Sequence, residues 1–566
     1  MLLALVVAVL AVALGAALTA VSGTRPTVLG LLRTFAATAA AVVVLTHLLP
    51  DALSGAGLWG ALAFLVGLLA PLGLHTLTER LASRKLGLSG ARLALEAGFL
   101  GLLVHHVGDG LGIGAYAALP GGVLEHLDVI LALIAHTVPL VAVVTLAYRG
   151  EYGLSVALKR ACALALASVL GVLVSFAVPG AALAAASAWI GALVSGVLLH
   201  VVTHDWLEDL PKSEGARALD LLAAGSGLSL VLLGSHEPGH TEAGSALLES
   251  ALVTAQRSAP FLLIGLALTF TLRDRLQAEL GRLGKSLPIR VGTRLGFAFG
   301  ADGLALSLTS YGVVWTLAAL LATAVVPLVA GAVAMLAVAI AGEEAAKDTA
   351  HRLEQTPLEV TDRLRRFDRS TAIWVVAVAL AAVFQSALPS GALLGSLGSV
   401  SELLVSGTLG MLLGTGGPSV IALGALTDKG LSPGAALLGA LLSSALGFGV
   451  LRSLWRQIGP RALLPTLIWL VCLTAAIGIG INQVAPVPSP LRLPANVSRV
   501  SLAILLLLVL VRAQRVGVRR WLAGWFAEGA DTDHHHGYSH SHSSESPNGS
   551  AATTRSPEAS GPSAEA

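Results

Sequence analysis

The chain has 566 residues, of which 55% are hydrophobic and 12% are charged, and its formal net charge at pH 7 is +2. Its mean hydropathy is +0.81, and apolar runs of about 20 residues, long enough to cross a bilayer as helices, recur from end to end. These properties exclude a soluble protein and predict an all-α, polytopic helical membrane protein. The basic residues lie between the apolar runs rather than on one face, which excludes a nucleic-acid partner.

The first part of the chain, residues 1–234, contains about eight predicted membrane spans. We place them near residues 2–22, 28–49, 57–78, 92–116, 128–147, 158–178, 183–204 and 216–234. Connections that contain Lys and Arg alternate with connections that contain neither. By the positive-inside rule, both ends of this part therefore lie outside the cytoplasm. No basic segment precedes the first span, which favours a membrane span over a cleaved signal peptide.

A second part follows a predicted external loop at residues 235–245. It divides into a first half (246–341), a solvated cytoplasmic linker (342–370) and a second half (371–520). We expect about seven or eight spans here. They lie near residues 249–271, 371–389, 402–427, 432–451, 462–484 and 498–513, with two more between 295 and 341. The last basic cluster places the C-terminus in the cytoplasm.

One of these spans, residues 402–427, is predicted to be broken or re-entrant. Gly416, Gly417 and Pro418 lie in its middle and cannot continue a straight helix. A corresponding break is expected near residues 299–303. Interrupted spans at comparable places of a repeat are typical of a transport pathway, because helix ends and freed carbonyls face the permeant species there. Asp302, in the second break, is either a proton or cation carrier or the cap of a broken helix.

The end of the chain, residues 521–566, is predicted to be a disordered cytoplasmic tail because it is rich in Ser, Pro and Gly and has no apolar periodicity. It contains five closely spaced histidines: His534, His535, His536, His540 and His542. Such a tract binds Zn, Ni or Cu weakly through the density of its ligands. The two alternatives are a regulatory, metal-binding tail and a low-complexity tail without function.

Two histidines and an aspartate lie within a span that is otherwise uncharged. His105, His106 and Asp109 belong to the apolar stretch from residue 98 to residue 119. An ionised Asp at bilayer depth costs about 2.5–3.5 kcal/mol, so it is tolerated where it faces a cavity, a partner or a cation. On a helix, His105 and Asp109 share one face and His106 lies beside them. This spacing predicts a divalent-cation site; the alternative is histidines hydrogen-bonded to neighbouring helices.

Three motifs in the first part resemble the ZIP family of divalent-metal transporters. Residues 46–51 (Thr-His-Leu-Leu-Pro-Asp) resemble the end of the family's second span. Residues 105–110 (His-His-Val-Gly-Asp-Gly) resemble its fourth-span motif, and residues 136–139 (His-Thr-Val-Pro) its fifth-span His-x-x-Pro. The resemblance extends over about residues 1–234. It implies the family's eight-span fold and transport of a divalent metal ion.

The resemblance also assigns residues to the family's primary metal site. His105, Asp109 and His136 match its ligands, and His106 stands where the family usually has Asn. Two histidines and one carboxylate can hold Zn²⁺ with water in a fourth position.

Two carboxylates of the family are missing from this sequence. Leu140 and Ser168 occupy their positions, so a second metal ion of a binuclear pair has little to bind. Weaker candidate ligands are His200, His204 and Asp205 near the end of the seventh span, and His47 at the external end of the second. The alternative is that these residues anchor span ends at the membrane interface.

The second part resembles a different family, the predicted permeases associated with copper, zinc and arsenic efflux. Residues 258–265 (Ser-Ala-Pro-Phe-Leu-Leu-Ile-Gly) resemble the opening of these proteins, and residues 429–437 (Lys-Gly-Leu-Ser-Pro-Gly-Ala-Ala-Leu) resemble a stretch of their second half. The resemblance extends over about residues 246–515. The family usually has cysteine motifs before each Gly/Pro turn, and none is present here. Thiolate coordination of a soft metal is therefore not expected in this part.

The external loop contains the string His236-Glu237-Pro238-Gly239-His240, which fits the metalloprotease pattern His-Glu-x-x-His. That chemistry needs both imidazoles one helical turn apart, and Pro-Gly between them prevents the helix. We therefore expect no enzyme. His236, Glu237 and His240 belong either to a metal-collecting loop or to a plain solvated loop.

Taken together, the sequence predicts membrane transport of a divalent transition metal, first of all zinc, by secondary or facilitated transport. The alternative is a non-transporting membrane sensor or scaffold with degenerate transporter folds, which the missing ligands favour. The predicted partners are the lipid bilayer and the metal ion, without a tightly bound cofactor, and a homodimer is an open alternative to a monomer. The predicted location is a bacterial inner membrane. ZIP proteins generally load the cytoplasm and the permeases export, so both directions stay open.

Overall fold

The computed structural model describes most of the chain up to residue 523. The longer described ranges are 1–22, 26–45, 62–68, 90–118, 127–177, 213–229, 241–283, 300–340, 363–391, 417–446, 448–484 and 488–523, and shorter pieces lie within 49–60, 188–199, 393 and 402–410. By internal contacts, Met1–Gly529 is one compact unit and Ala530–Ala566 is another.

The described residues are 92% helical and include no strand. Seven helices among them are long and apolar enough to cross a membrane. These observations confirm the prediction of an all-α, multi-pass helical membrane protein.

The first part of the chain forms six long helices within the described ranges. They are α1 (Leu2–Ser22), α2 (Pro26–Val43), α3 (Gly90–Ala118), α4 (Leu127–Tyr152), α5 (Leu154–Ala177) and α6 (Glu214–Leu228). α1 packs against α4 and α5, α2 packs against α4 and α6, and α3 packs most closely against α5. The helices α1 to α5 lie close to predicted spans.

The second part forms nine helices in the ranges that the structure describes. They are α7 (Thr241–Leu283), α8 (residues 300–310), α9 (Val313–Ile340), α10 (Arg363–Ala387), α11 (Ser419–Thr427), α12 (Pro433–Leu446), α13 (Phe448–Val484), α14 (Ala495–Val516) and α15 (Val518–Ala523). α7 packs against α10 and α14, and α10 packs against α11. α13 is kinked at Gly459, where the backbone leaves the helical region at φ 71° and ψ 169°.

The predicted break near Gly417 and Pro418 is present. These two residues form a turn, and α11 begins at Ser419. Gly416 lies outside the described residues. The corresponding break is present at Gly300, whose φ of +67° cannot belong to a helix interior, so α8 begins there.

The two short helices α8 and α11 lie side by side. A Cβ at Gly417 would lie 2.7 Å from the Gly303 nitrogen, and one at Gly424 would lie 2.7 Å from the Ser310 Cβ. Because the contacts advance by the same number of residues on both helices, α8 and α11 run in the same direction. Each is followed by a glycine with positive φ and then by another helix.

The predicted linker over residues 342–370 is wrong at its C-terminal end. α10 begins at Arg363, and Phe367, Asp368 and Ser370 are buried. Asp368 pairs with Arg512 of α14, whose Nε donates to Asp368 Oδ1 at 2.8 Å. The charged residues that suggest a solvated segment therefore have partners on other helices, which the local sequence does not reveal.

Lys429 lies in the turn after α11 and is only 8% exposed. Its Nζ donates a hydrogen bond of 2.8 Å to the carbonyl of Gln385 in the last turn of α10. A cation in this position satisfies a free carbonyl at a helix C-terminus. Its charge is therefore used inside the fold, which explains why Lys429 does not fit the positive-inside pattern.

The C-terminal helix α15 joins the two parts of the chain. Arg519 (2% exposed) lies 3.3 Å from Asp220 of α6 (1% exposed), and Thr34 of α2 also donates to the Asp220 carboxylate. The Trp521 indole donates to the Thr371 hydroxyl of α10 at 3.1 Å. The predicted tail, which starts at residue 521, therefore begins inside a packed helix.

The buried pair predicts a large difference between two ion pairs of this protein. Asp220→Ala leaves the buried Arg519 guanidinium without its carboxylate, and we expect a loss of about 3–5 kcal/mol in unfolding free energy. Glu96→Ala removes a pair with Arg160 whose side chains are about one-third exposed, so we expect about 0–1 kcal/mol. Unfolding of the purified variants in detergent measures both. Equal losses in the two variants would contradict this assignment.

Candidate metal centre

The helix α3 brings His105, His106 and Asp109 together. They are 1%, 0% and 6% exposed, and one ligand atom from each lies within 4.8 Å of the others. The flanking residues of α3 are Leu, Val, Gly and Ala, so the cluster is enclosed by apolar surface. The spacing of four residues between His105 and Asp109 places them on one face, as predicted.

Hydrogen bonds orient each side chain of the cluster. His105 Nε2 lies 3.3 Å from Asp109 Oδ2, and the Thr137 hydroxyl of α4 donates to the same oxygen at 3.2 Å. His106 Nδ1 lies 3.1 Å from the Leu102 carbonyl oxygen, which can only accept. The proton of neutral His106 is therefore on Nδ1, and the lone pair of Nε2 is available to a metal ion. A carbonyl that fixes the tautomer in this way is common behind metal-binding histidines.

Small residues hold α3 and α5 in direct contact beside the cluster. A Cβ at Gly110 would overlap the Ser168 carbonyl oxygen, and one at Gly171 would overlap the Val107 carbonyl oxygen. Small residues at helix contacts allow such close approach within membranes. Ser168, where the resemblance places a family carboxylate, is 2% exposed and lies against the residue after Asp109.

The end of α3 before the cluster is closed by a polar and aromatic group. Arg160 of α5 pairs with Glu96 at 2.6 Å and lies over the rings of Phe99 and Tyr148, 4.6 and 5.1 Å from their centroids. Glu96 is nine residues before His105, which corresponds to about 14 Å along the helix. The cluster is therefore deep in the bundle.

The donor set favours a borderline divalent metal. Imidazole nitrogens suit Zn, Cu, Fe and Ni, whereas Mg and Ca prefer sites made of oxygen atoms alone. Cys162 and Cys472 are both exposed on helix surfaces and contribute no thiolate to this site. Two imidazoles and one carboxylate leave a position for water or for a further ligand.

Several predicted ligands are not available for comparison with this cluster. His136 lies on α4 next to Thr137, but its side chain is outside the described part of the chain. The following predicted ligands also lie outside the described residues: His47, His200, His204, Asp205, His236, Glu237, His240, His534, His535, His536, His540 and His542.

Sequence reasoning missed two participants in the cluster. Thr137 is a polar residue directly after His136, and its hydroxyl contacts Asp109 from another helix. The Leu102 carbonyl is freed for His106 by nothing visible in the sequence. A Thr inside the predicted fifth-span motif was the one available signal.

Comparison of the chain with protein-family models, with curated proteins and with solved structures gives no match. The resemblances to ZIP transporters and to efflux-associated permeases therefore stay predictions based on short motifs.

The α3–α5 contact predicts an indirect effect on metal binding. Gly171→Ala forces the two helices apart without changing a ligand, and we expect zinc affinity to fall by about tenfold to hundredfold, as when groups that orient ligands are changed. Gly150→Ala is the matched control, because nothing lies within 4 Å of its Cβ position. Competition titration with a zinc dye measures both. Equal zinc affinity in the two variants would show that the contact does not position the ligands.

Proposed function

We propose that the protein moves a divalent transition metal across the membrane, with zinc as the first candidate, by secondary or facilitated transport. The observation that carries the proposal is the cluster of His105, His106 and Asp109, whose ligand atoms lie within 4.8 Å of one another inside a bundle of apolar helices.

Burial supports a role for this cluster beyond packing. A carboxylate and two imidazoles are expensive to place among apolar helices, and such residues usually mark a substrate or ion pathway. The described partners of Asp109 are a histidine and a threonine hydroxyl. A bound divalent cation would add the positive charge that these neutral groups do not provide.

The resemblance to ZIP transporters supports the same function from independent residues. It assigns His105, Asp109 and His136 to the primary metal site. Leu140 is 5% exposed and Ser168 is 2% exposed, so these substitutions leave a buried region with fewer anionic groups. We therefore expect one metal ion rather than a binuclear pair.

Transport by the purified protein in liposomes tests the proposal. The wild-type chain should carry Zn²⁺ down a gradient, as measured with an enclosed zinc dye. Asp109→Ala should abolish flux and reduce zinc binding by at least about tenfold, because it removes the single carboxylate of the cluster. Glu96→Ala, on the same helix but in the pair with Arg160, should keep zinc binding.

Two results would contradict the proposal in different ways. Zinc binding that survives Asp109→Ala unchanged would show that the cluster is not the metal site. Zinc binding at this site with no flux in either direction would favour the alternative of a membrane metal sensor or scaffold.

The His-rich tail predicts regulation rather than transport. A flexible chain binds metal weakly, because ordering it opposes coordination. Truncation after Gly529, which leaves the compact unit Met1–Gly529 intact, should preserve folding and shift the apparent metal affinity only modestly. Zinc flux as a function of concentration measures the shift. Loss of insertion or of all flux would show that the tail is structural or part of the pathway.

A further inference from the structure

The paired helices α8 and α11 contain a second polar centre, separate from the metal cluster. Both helices begin at the same place, because Gly417 lies against Gly303 and the Cβ position of Gly417 is 3.1 Å from Asp302 Cγ. Each helix N-terminus carries the equivalent of about half a positive charge. Two such ends therefore meet at Asp302.

Side chains of α10 add two further donors at this point. Arg366 Nη2 lies 3.0 Å from Asp302 Oδ1, and the Ser370 hydroxyl donates to Oδ2 at 2.7 Å. Asp302 is almost completely buried, whereas 17% of the Arg366 side chain is exposed. We call these groups, with the starts of α8 and α11, the anion cradle. Each of them favours a negative charge, and in this structure Asp302 supplies it.

The opposite ends of α8 and α11 are also rich in positive charge. Asp428, after α11, is near Arg257, Lys429 and Arg492, whose charges lower its pKa, while partial burial raises it by more. The contacts place these cations there. Lys429 binds the end of α10, and the hydrogen bond from Leu491 to the Leu308 carbonyl, at 2.8 Å, brings the adjacent Arg492 to α8.

A buried hydroxyl points to a ligand at this second end. Tyr311, directly after α8, is 0% exposed, and its hydroxyl has no hydrogen-bond partner among the described residues. A buried polar group without a partner is rare and is often satisfied by water or a ligand. A phenol can donate a hydrogen bond to an anion.

A metal cation does not fit this part of the structure. Among the described residues, the one cluster of metal-ligand type is that of His105, His106 and Asp109. Around α8 and α11, by contrast, each carboxylate is accompanied by at least one Arg or Lys. Positive charges that line both ends of a route concentrate anions.

We propose that α8 and α11 form a binding site for a small oxyanion, in which Asp302 competes with the anion for Arg366 and Ser370. The ligand class is a sulfate-like or phosphate-like anion free in solution. This function is additional to metal transport and does not depend on it.

Removal of the competing charge tests the sign of the effect. We expect sulfate to raise the unfolding temperature of the full-length protein in detergent, and Asp302→Asn to tighten the apparent sulfate affinity by about tenfold, because a like charge is removed. Arg366→Gln should abolish the sulfate effect. The control is Arg512→Gln, which removes the partner of Asp368 and should leave the sulfate affinity unchanged.

Two further measurements cover variants that fail to fold and separate the possible sources of the anion. Ser370→Ala is the milder change and should weaken sulfate binding several-fold while Arg366 stays in place. Asp109→Ala should not alter the sulfate response, which separates this proposal from metal transport. Phosphatidylglycerol in mixed micelles provides the comparison with a lipid headgroup.

Three results would overturn the proposal. One is the absence of any sulfate-dependent stabilisation in wild type and Asp302→Asn. Another is weaker sulfate binding in Asp302→Asn, which would indicate a cation or proton site. The third is stabilisation by phosphatidylglycerol without stabilisation by sulfate, which would assign the cradle to a lipid headgroup.

Discussion

A charge buried among apolar helices must have a partner, and this requirement organises the described part of the protein. Asp220, Asp302 and Asp368 are each paired with an arginine from another helix. Such pairs cost desolvation, yet removing either partner costs more, so they fix which helices lie together. Asp109 differs, because its described partners are a histidine and a hydroxyl. This difference in partner distinguishes a structural carboxylate from one that suits a mobile cation.

The arginine pairs also explain why two parts with different motifs form one compact unit. Arg519 reaches α6 of the first part, and Arg512, one helix earlier, reaches Asp368 of the second part. Between Asp368 and Arg366 there is less than one turn of α10, so the residues that hold α14 are next to those that hold Asp302. A movement of the C-terminal helices would therefore act on α10 and on the breaks before α8 and α11.

The sequence predicted features that depend on local composition and failed where the partner is distant. Apolar length was sufficient for α1, and Gly417-Pro418 was sufficient for the break before α11, because each is determined by adjacent residues. The spacing of His105 and Asp109 likewise follows from helix periodicity. The burial of Phe367 to Ser370 could not be predicted, since it depends on Arg512, which lies 144 residues beyond Asp368. Leu-Thr-x-x-Gly recurs at residues 308–312 and 426–430, and this repeat was an available but overlooked signal for the pairing of α8 with α11.

The two polar centres use the same side chain for opposite purposes. At α3 the acid lies among imidazoles, which are neutral donors of lone pairs, so the local charge is negative and a cation completes it. At α8 the acid lies between a guanidinium and two helix N-termini, so the surroundings are positive and the acid itself completes them. Burial alone therefore does not indicate what an intramembrane carboxylate binds. The charge of the groups around it decides, and in this protein that charge differs in sign between the two parts.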